Sequence, residues 1–205
     1  REIDQSLYES YSDDIPIILK RIYAARGVSE SQLSMALPGL LKPNFDQLNI
    51  ALDLLENCLL EDKRILIVGD FDADGATASA VAIKALRLMG AKHVDFLVPN
   101  RFKHGYGLSP EIVKEANRDK EPDLIITVDN GISSNEGAEL ARSFGIDVII
   151  TDHHLPPNEL PNANAIINPN LRGCDFPSKN LAGVGVCFYL FSSLKTHLTK
   201  QDYFE

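Results

Sequence analysis

Five short apolar runs, at 65–68, 94–98, 124–128, 147–151 and 165–167, do most to limit what this chain can fold into. Runs such as Ile65-Leu66-Ile67-Val68 show no polar alternation. As strands they must be covered on both faces, the habit of a parallel sheet sandwiched by helices. Helical stretches separate them at about 75–89, 110–118 and 134–144, and a last helix runs from about Leu181 to Leu198. Gly90 and Gly145 stand where C-caps belong. Ser109-Pro110 supplies an N-cap and a proline at the first helical position. Ser133-x-x-Glu136 fits a capping box. The pattern predicts an α/β, doubly wound, five-stranded parallel sheet.

A helical N-terminal extension, residues 1–62, precedes it. Ile15, Ile18, Leu19, Ile22 and Tyr23 recur at helical spacing. Gly27 ends that helix, and Ser29 can cap a short second one reaching Ala36. Pro38-Gly39 and Pro43 mark a loop, and Asn44 reads as the N-cap of a helix through Leu60. Residues 63–205 form the second division.

Three acidic clusters each follow a strand: Asp70-Phe71-Asp72-Ala73-Asp74-Gly75, then Asp129-Asn130-Gly131, then Asp152-His153-His154. In an open parallel sheet, residues just past the strand ends share one edge, where ligands bind. Five carboxylates and two imidazoles are therefore expected in one cleft. Two carboxylates 4 Å apart repel by about 4 kcal/mol at an effective dielectric near 20. A cation must lie among them, or some must be protonated. The donor set is rich in oxygen, includes imidazole and lacks thiolate, which suits Mn²⁺ or Mg²⁺ better than structural Zn²⁺. Asp129, near the sheet centre, is placed to bridge two metals. Of two adjacent histidines on one loop, one can bind metal while the other faces substrate.

Other readings of these motifs are weaker. An EF-hand needs a bidentate Glu at its twelfth position, which here is Val81. A haloacid-dehalogenase-like phosphatase also starts Asp-x-Asp after its first strand, but leaves 152–154 unexplained. A Rossmann phosphate loop lacks its spaced glycines, and bare carboxylates repel pyrophosphate. A solvated acidic turn explains one cluster, not three at equivalent positions.

Past the second strand, Arg101 offers a fork of donors to phosphate, and Lys103 and His104 add positive charge. Arg101 and His104 are candidate substrate-binding residues. Gly105 and Gly107 permit close backbone approach to a ligand. Ala182-Gly183-Val184-Gly185 either presents N–H groups to an anion or packs a helix closely on the sheet.

The chain has 205 residues and is 44% hydrophobic, enough for one full core. Its net charge of −9 gives no general attraction for polyanions. Cys58, Cys174 and Cys187 show no paired spacing, which argues for a reducing cytoplasm and against a zinc ribbon. No secretory signal is visible, and no apolar stretch reaches the roughly 20 residues of a membrane span.

In this order the motifs resemble the DHH phosphoesterase superfamily, named for the triplet found here at 152–154. The resemblance runs from about Leu60 to Leu198. Within the superfamily the chain is most similar to bacterial single-strand-specific 5′→3′ exonucleases. That rests on Ala25-Arg26-Gly27-Val28, the 69–77 segment, Val98-Pro99-Asn100-Arg101 leading to Gly105-Tyr106-Gly107, and Leu181–Gly185. The resemblance implies metal ligation by Asp70, Asp72, Asp74, Asp129 and His153, and a phosphate-facing role for His154. It implies hydrolysis of single-stranded DNA in repair and recombination with two Mn²⁺ or Mg²⁺ ions, Asp129 bridging them. A helicase or a single-strand-binding protein is a candidate partner. One departure is plain: the superfamily's fourth-motif Asp has no counterpart, because Asp202 stands in the wrong context. Further DHHA1-type and OB domains do not fit in what remains. The chain is expected to be the N-terminal part of a catalytic core, weak or inactive alone. The alternatives are a DHH enzyme for a short oligonucleotide, cyclic dinucleotide or pyrophosphate, and a non-catalytic scaffold, which loss of the acidic ligands would betray.

Overall fold

The computed structural model describes residues 2–33, 39–100 and 104–204. The chain divides into two compact units, residues 1–42 and 43–205. In the first, α1 (Gln5–Ser10) and α2 (Ile17–Ala24) are followed by a 3₁₀ turn at Glu30–Leu33. The six residues of α1 bury no side chain, so no apolar period announces it; Asp4 starts it by accepting the Leu7 N–H at 3.0 Å. Gly27 ends the α2 segment at φ 68°, and the Val28 N–H closes the turn on the Tyr23 carbonyl. The Tyr11 hydroxyl donates to the Val28 carbonyl. The helix expected after Ser29 is only the 3₁₀ turn, and its end at 34–36 lies outside the described residues.

The second unit opens with α3 (Leu48–Leu60), followed by β1 (Ile65–Gly69), α4 (Ala73–Leu88) and β2 (Val94–Leu97). Next come α5 (Pro110–Asp119), β3 (Leu124–Val128), α6 (Asn135–Ser143), β4 (Asp147–Thr151), β5 (Ala165–Ile167) and α7 (Gly183–Lys200). The strands form one parallel sheet in the order β2-β1-β3-β4-β5. Side chains alternate between its faces. Ile65, Ile67, Leu124, Ile126 and Ile149 pack with Leu52, Leu55, Ala78, Ala82, Leu190 and Leu194 from α3, α4 and α7. Leu66, Val68, Ile125, Val148 and Ile150 pack with Ile112, Val113, Ala116 and Ala141 from α5 and α6. Both faces are thus covered, and each fully buried aliphatic side chain contributes about 1.5–3 kcal/mol. The three cysteines are buried and free.

Helix α3 packs into the sheet's core, so the compact units divide at Lys42/Pro43, upstream of the 62/63 boundary expected from the sequence. Two expected caps are also replaced. Helix α3 begins four residues past Asn44, and Gln47 beside it accepts the Ile166 N–H at 2.6 Å, holding edge strand β5. Helix α6 starts after Ser134, not Ser133, and the Ser134 hydroxyl accepts the Leu108 N–H at 3.0 Å instead of capping its own helix. In both places a tertiary hydrogen bond takes the side chain that a local cap would have used. No described helix is long and apolar enough to cross a membrane.

Candidate metal centre

The acidic residues sit one step beyond the strand ends and continue the ladder. The Asp70 N–H donates to the Val128 carbonyl at 3.4 Å, that of Asp129 to Thr151 at 3.0 Å, and that of Asp152 to Ile167 at 3.1 Å. Strand β1 lies between β2 and β3, so the chain leaves β1 and β3 toward opposite sides and opens a crevice at their carboxyl ends. Asp70 and Asp129 flank it. Asp72 caps α4 by accepting the Gly75 N–H at 3.0 Å. Gly75 must be glycine: a Cβ there would stand 2.5 Å from the Asp70 carbonyl oxygen.

Asp129 is the centre of the arrangement. It is 1% exposed and held at φ 64°, a conformation uncommon outside glycine and concentrated at functional sites. Its Oδ1 is buried with no hydrogen-bond partner; His153 Nε2 approaches to 3.1 Å without the alignment of a hydrogen bond. Burial, then the charges of Asp74 and Asp72, push its carboxyl up to about 7. Ligand atoms of Asp70, Asp72 and Asp129 lie within 4.8 Å of one another, and so do those of Asp129, His153 and His154. Asp129 belongs to both sets. A buried carboxylate oxygen without a donor is costly, and a cation shared with these neighbours would supply its partner. The residues therefore fit divalent metal.

Asp74 stands at the rim, its Oδ2 3.8 Å from His153 Nε2. Its two oxygens also accept the Gly183 and Val184 N–H groups, each at 2.7 Å. The anion at the start of α7 is thus the chain's own carboxylate. Close packing holds as well, since a Cβ on Gly183 would lie 2.2 Å from Asp129 Oδ1. The N–H bonds fix the Asp74 carboxylate plane and leave lone pairs for a cation.

Asp152 orients the two histidines. Its Oδ1 accepts the His153 N–H at 2.7 Å, the His154 N–H at 3.0 Å and His154 Nδ1 at 2.7 Å, while Oδ2 accepts the Ile132 N–H at 2.9 Å. With Nδ1 held, His154 turns its other ring nitrogen to the cleft it lines. Partial burial opposes charging of His154, but the Asp152 bond and the surrounding acids outweigh it and raise its pKa. The cleft measures about 530 Å³ and is lined by Asp70, Phe71, Asp72, Tyr106, Asp152 and His154 among others. The Tyr106 ring meets His154 edge-on at 6.2 Å, and burial followed by the charge of Asp70 raises its phenol's pKa.

Arg101 and Lys103 lie outside the described residues. His104 does not line this cleft. Its Nδ1 accepts the Asn100 N–H at 3.1 Å and its Nε2 sits 3.3 Å from Glu115, so it braces its own loop against α5. His104→Ala is accordingly expected to leave Mn²⁺ affinity unchanged within about twofold, as read by calorimetric titration. Gly107 (φ 72°) packs on Ser134.

The residue pattern did not single out Asn130, Asn168 and Asn170. Asn130 Nδ2 bridges the Val68 and Val128 carbonyls at 3.0 and 2.9 Å, pinning β1 to β3 beneath the centre. Asn168 directly follows β5, the strand-end position that flagged the other clusters, and that signal was available in the sequence.

The model of the DHH family, N-terminal domain, matches residues 64–204. The single-stranded-DNA-specific exonuclease RecJ of Escherichia coli K12 is 51% identical over 207 residues, covering 100% of this chain and 35% of that protein. The crystal structure of RecJ in complex with Mn²⁺ from Thermus thermophilus superposes with a TM-score of 0.72 at 30% identity, over 95% of this chain and 28% of that one. The Mg²⁺ complex from the same organism gives a TM-score of 0.56 at 25% identity, over 95% and 24%. The chain spans about a third of the length of the curated relatives it matches.

Proposed function

The chain belongs to the DHH family, and from that premise we propose that it is the metal-holding N-terminal part of an exonuclease that degrades single-stranded DNA from the 5′ end. One observation carries the reading: buried Asp129, with an unpartnered oxygen, belongs to both sets of potential ligands. Residues 63–205 are assigned to the DHH part and residues 1–62 to its helical extension, whose last helix, α3, packs into the DHH core.

In this reading Asp70, Asp72 and Asp129 hold one ion, Mn²⁺ or Mg²⁺, and Asp129 and His153 hold a second, with Asp74, 3.8 Å from His153, added from the rim and His154, the other member of that set, left to the substrate. Two divalent ions, when bound, supply the Lewis acidity that phosphodiester hydrolysis needs at neutral pH. The chain's own groups do the rest. His154, fixed through Nδ1 by Asp152, directs its other nitrogen at a phosphoryl oxygen, where a donor stabilises growing negative charge. Arg101 is assigned the same task. The exposed Tyr106 ring, 49% accessible, offers a face on which a base can stack. The chain alone is proposed to be a poor nuclease, because the longer relatives carry segments it does not span. An enzyme confined to single strands needs them supplied, so a helicase or single-strand-binding protein in the cytoplasm is the matching partner class.

End-labelled oligonucleotides test this with the full-length protein and Mn²⁺. The expected result is release of 5′ label from single strands and near-complete sparing of blunt duplex. Release first from the 3′ end, or equal cutting of duplex, overturns it. Faster turnover of pyrophosphate, a cyclic dinucleotide or a very short oligonucleotide in competition would instead favour the small-substrate reading.

A further inference from the structure

The loop that carries the two histidines is held from below by a strand-end segment with no assigned role. Asn170 Nδ2 donates to the His153 carbonyl at 2.6 Å, and Asn168 Nδ2 donates to the His154 carbonyl at 2.9 Å. Asn168 is 1% exposed, and its Oδ1 accepts the Asn170 backbone N–H at 2.8 Å, so the Asn168 carboxamide is tied to the Asn170 backbone across Pro169. Lys179 Nζ fastens the same turn by donating to the Pro169 carbonyl at 2.7 Å. The histidine carbonyls lie beyond the end of β4 and have left the ladder, so these amides supply hydrogen bonds that the sheet no longer does. Each amide serves one histidine.

We propose that Asn168 and Asn170 are positioning residues with separate duties: Asn170 holds His153 toward the metal, and Asn168 holds His154 toward the substrate phosphate. Only a side chain with an N–H donor can do this. Aspartate has the same shape but offers no donor, and its charge repels the carbonyl oxygen it faces. The assignment rests on the reading of His153 as ligand and His154 as phosphate-facing. It extends that reading from the functional side chains to what fixes their backbone.

The test uses Asn168→Asp and Asn170→Asp in the full-length protein, with His153→Asn and His154→Asn as controls. Asn168→Ala and Asn170→Ala, which remove the donor without adding a charge, serve if either aspartate variant fails to fold. Four quantities are measured: melting temperature without metal, Mn²⁺ affinity by calorimetry, and KM and kcat on single-stranded DNA at saturating Mn²⁺. Outer-shell partners of metal ligands typically change affinity by about 10–100-fold. Asn170→Asp is expected to weaken Mn²⁺ binding by about that factor and to recover much of its kcat at saturating metal. Asn168→Asp is expected to keep Mn²⁺ affinity within about threefold of wild type and to lose about tenfold or more in kcat/KM, also at saturating metal. Equal losses in both asparagine variants, tracking melting temperature alone, with a clean split in the histidine controls, overturn the proposal. No split in the histidine controls overturns the site reading beneath it.

Discussion

Asp129→Asn is expected to abolish Mn²⁺-dependent cleavage by the full-length protein, by on the order of a thousandfold or more, equivalent to about 4 kcal/mol of transition-state stabilisation. The substitution is nearly isosteric, and asparagine tolerates the left-handed conformation at φ 64° as well as aspartate does. It therefore removes charge and little else. Without that charge both ligand sets lose their common member, so calorimetry should find neither Mn²⁺ site at wild-type affinity. Stability should move the other way. Burial and the neighbouring acids raise the folded-state pKa of Asp129 from 3.8 to about 7. A carboxyl with a raised pKa favours folding below its unfolded value, and that advantage is lost as pH rises through the folded value. Metal-free wild type should thus melt progressively lower than Asp129→Asn as pH goes from about 4 to 7, with the gap full above 7. Near-wild-type turnover in the variant, or an unchanged melting difference across that range, would show that the shared-carboxylate assignment is wrong.

Much of this was legible because two signals coincide. Strands β1 and β3 are apolar on both faces, and each ends in a carboxylate, so the sequence revealed both the sheet and its working edge. The order β2-β1-β3 then brings Asp70 beside Asp129, which no spacing in the chain could state. What escaped the sequence was mostly reciprocal bonding over long separations. His104 reads as a candidate substrate-binding residue because it adds positive charge near Arg101, yet its Nε2 lies 3.3 Å from Glu115 on α5. Ser133 and Glu136 have capping-box spacing, yet the cap residue is Ser134 and its hydroxyl goes to Leu108. Asp152 reads as one acid of the cleft with no role of its own, and its carboxylate accepts four hydrogen bonds that orient the loop. A side chain's chemistry can be read locally, whereas its partner is decided by the fold.

Gly183→Ala is expected to damage the metal centre from the far end of the chain. The added Cβ would stand 2.2 Å from Asp129 Oδ1 and 2.6 Å from that residue's Cβ and Cγ, distances no relaxed structure holds. Asp129 is poorly able to give way, because its N–H is fixed to the Thr151 carbonyl at 3.0 Å and its side chain is buried. Helix α7 must then move, and its Gly183 and Val184 N–H groups leave Asp74, which they now hold at 2.7 Å each. Two carboxylates of the centre are disturbed at once. Overpacking of this kind costs about 1–3 kcal/mol of stability, and loosened support for ligands about 10–100-fold in metal affinity. Gly185→Ala, two residues on, is the control. Its Cβ would meet the Leu181 side chain, 2.5 Å from Cδ1, an apolar contact that touches no ligand. It should lower the melting temperature while leaving the Mn²⁺ isotherm close to wild type. The contrast is read by thermal melts and Mn²⁺ calorimetry on the two variants side by side. If both lose stability and neither loses metal affinity, α7 is only a packing element, and the acidic cluster positions its ligands without it.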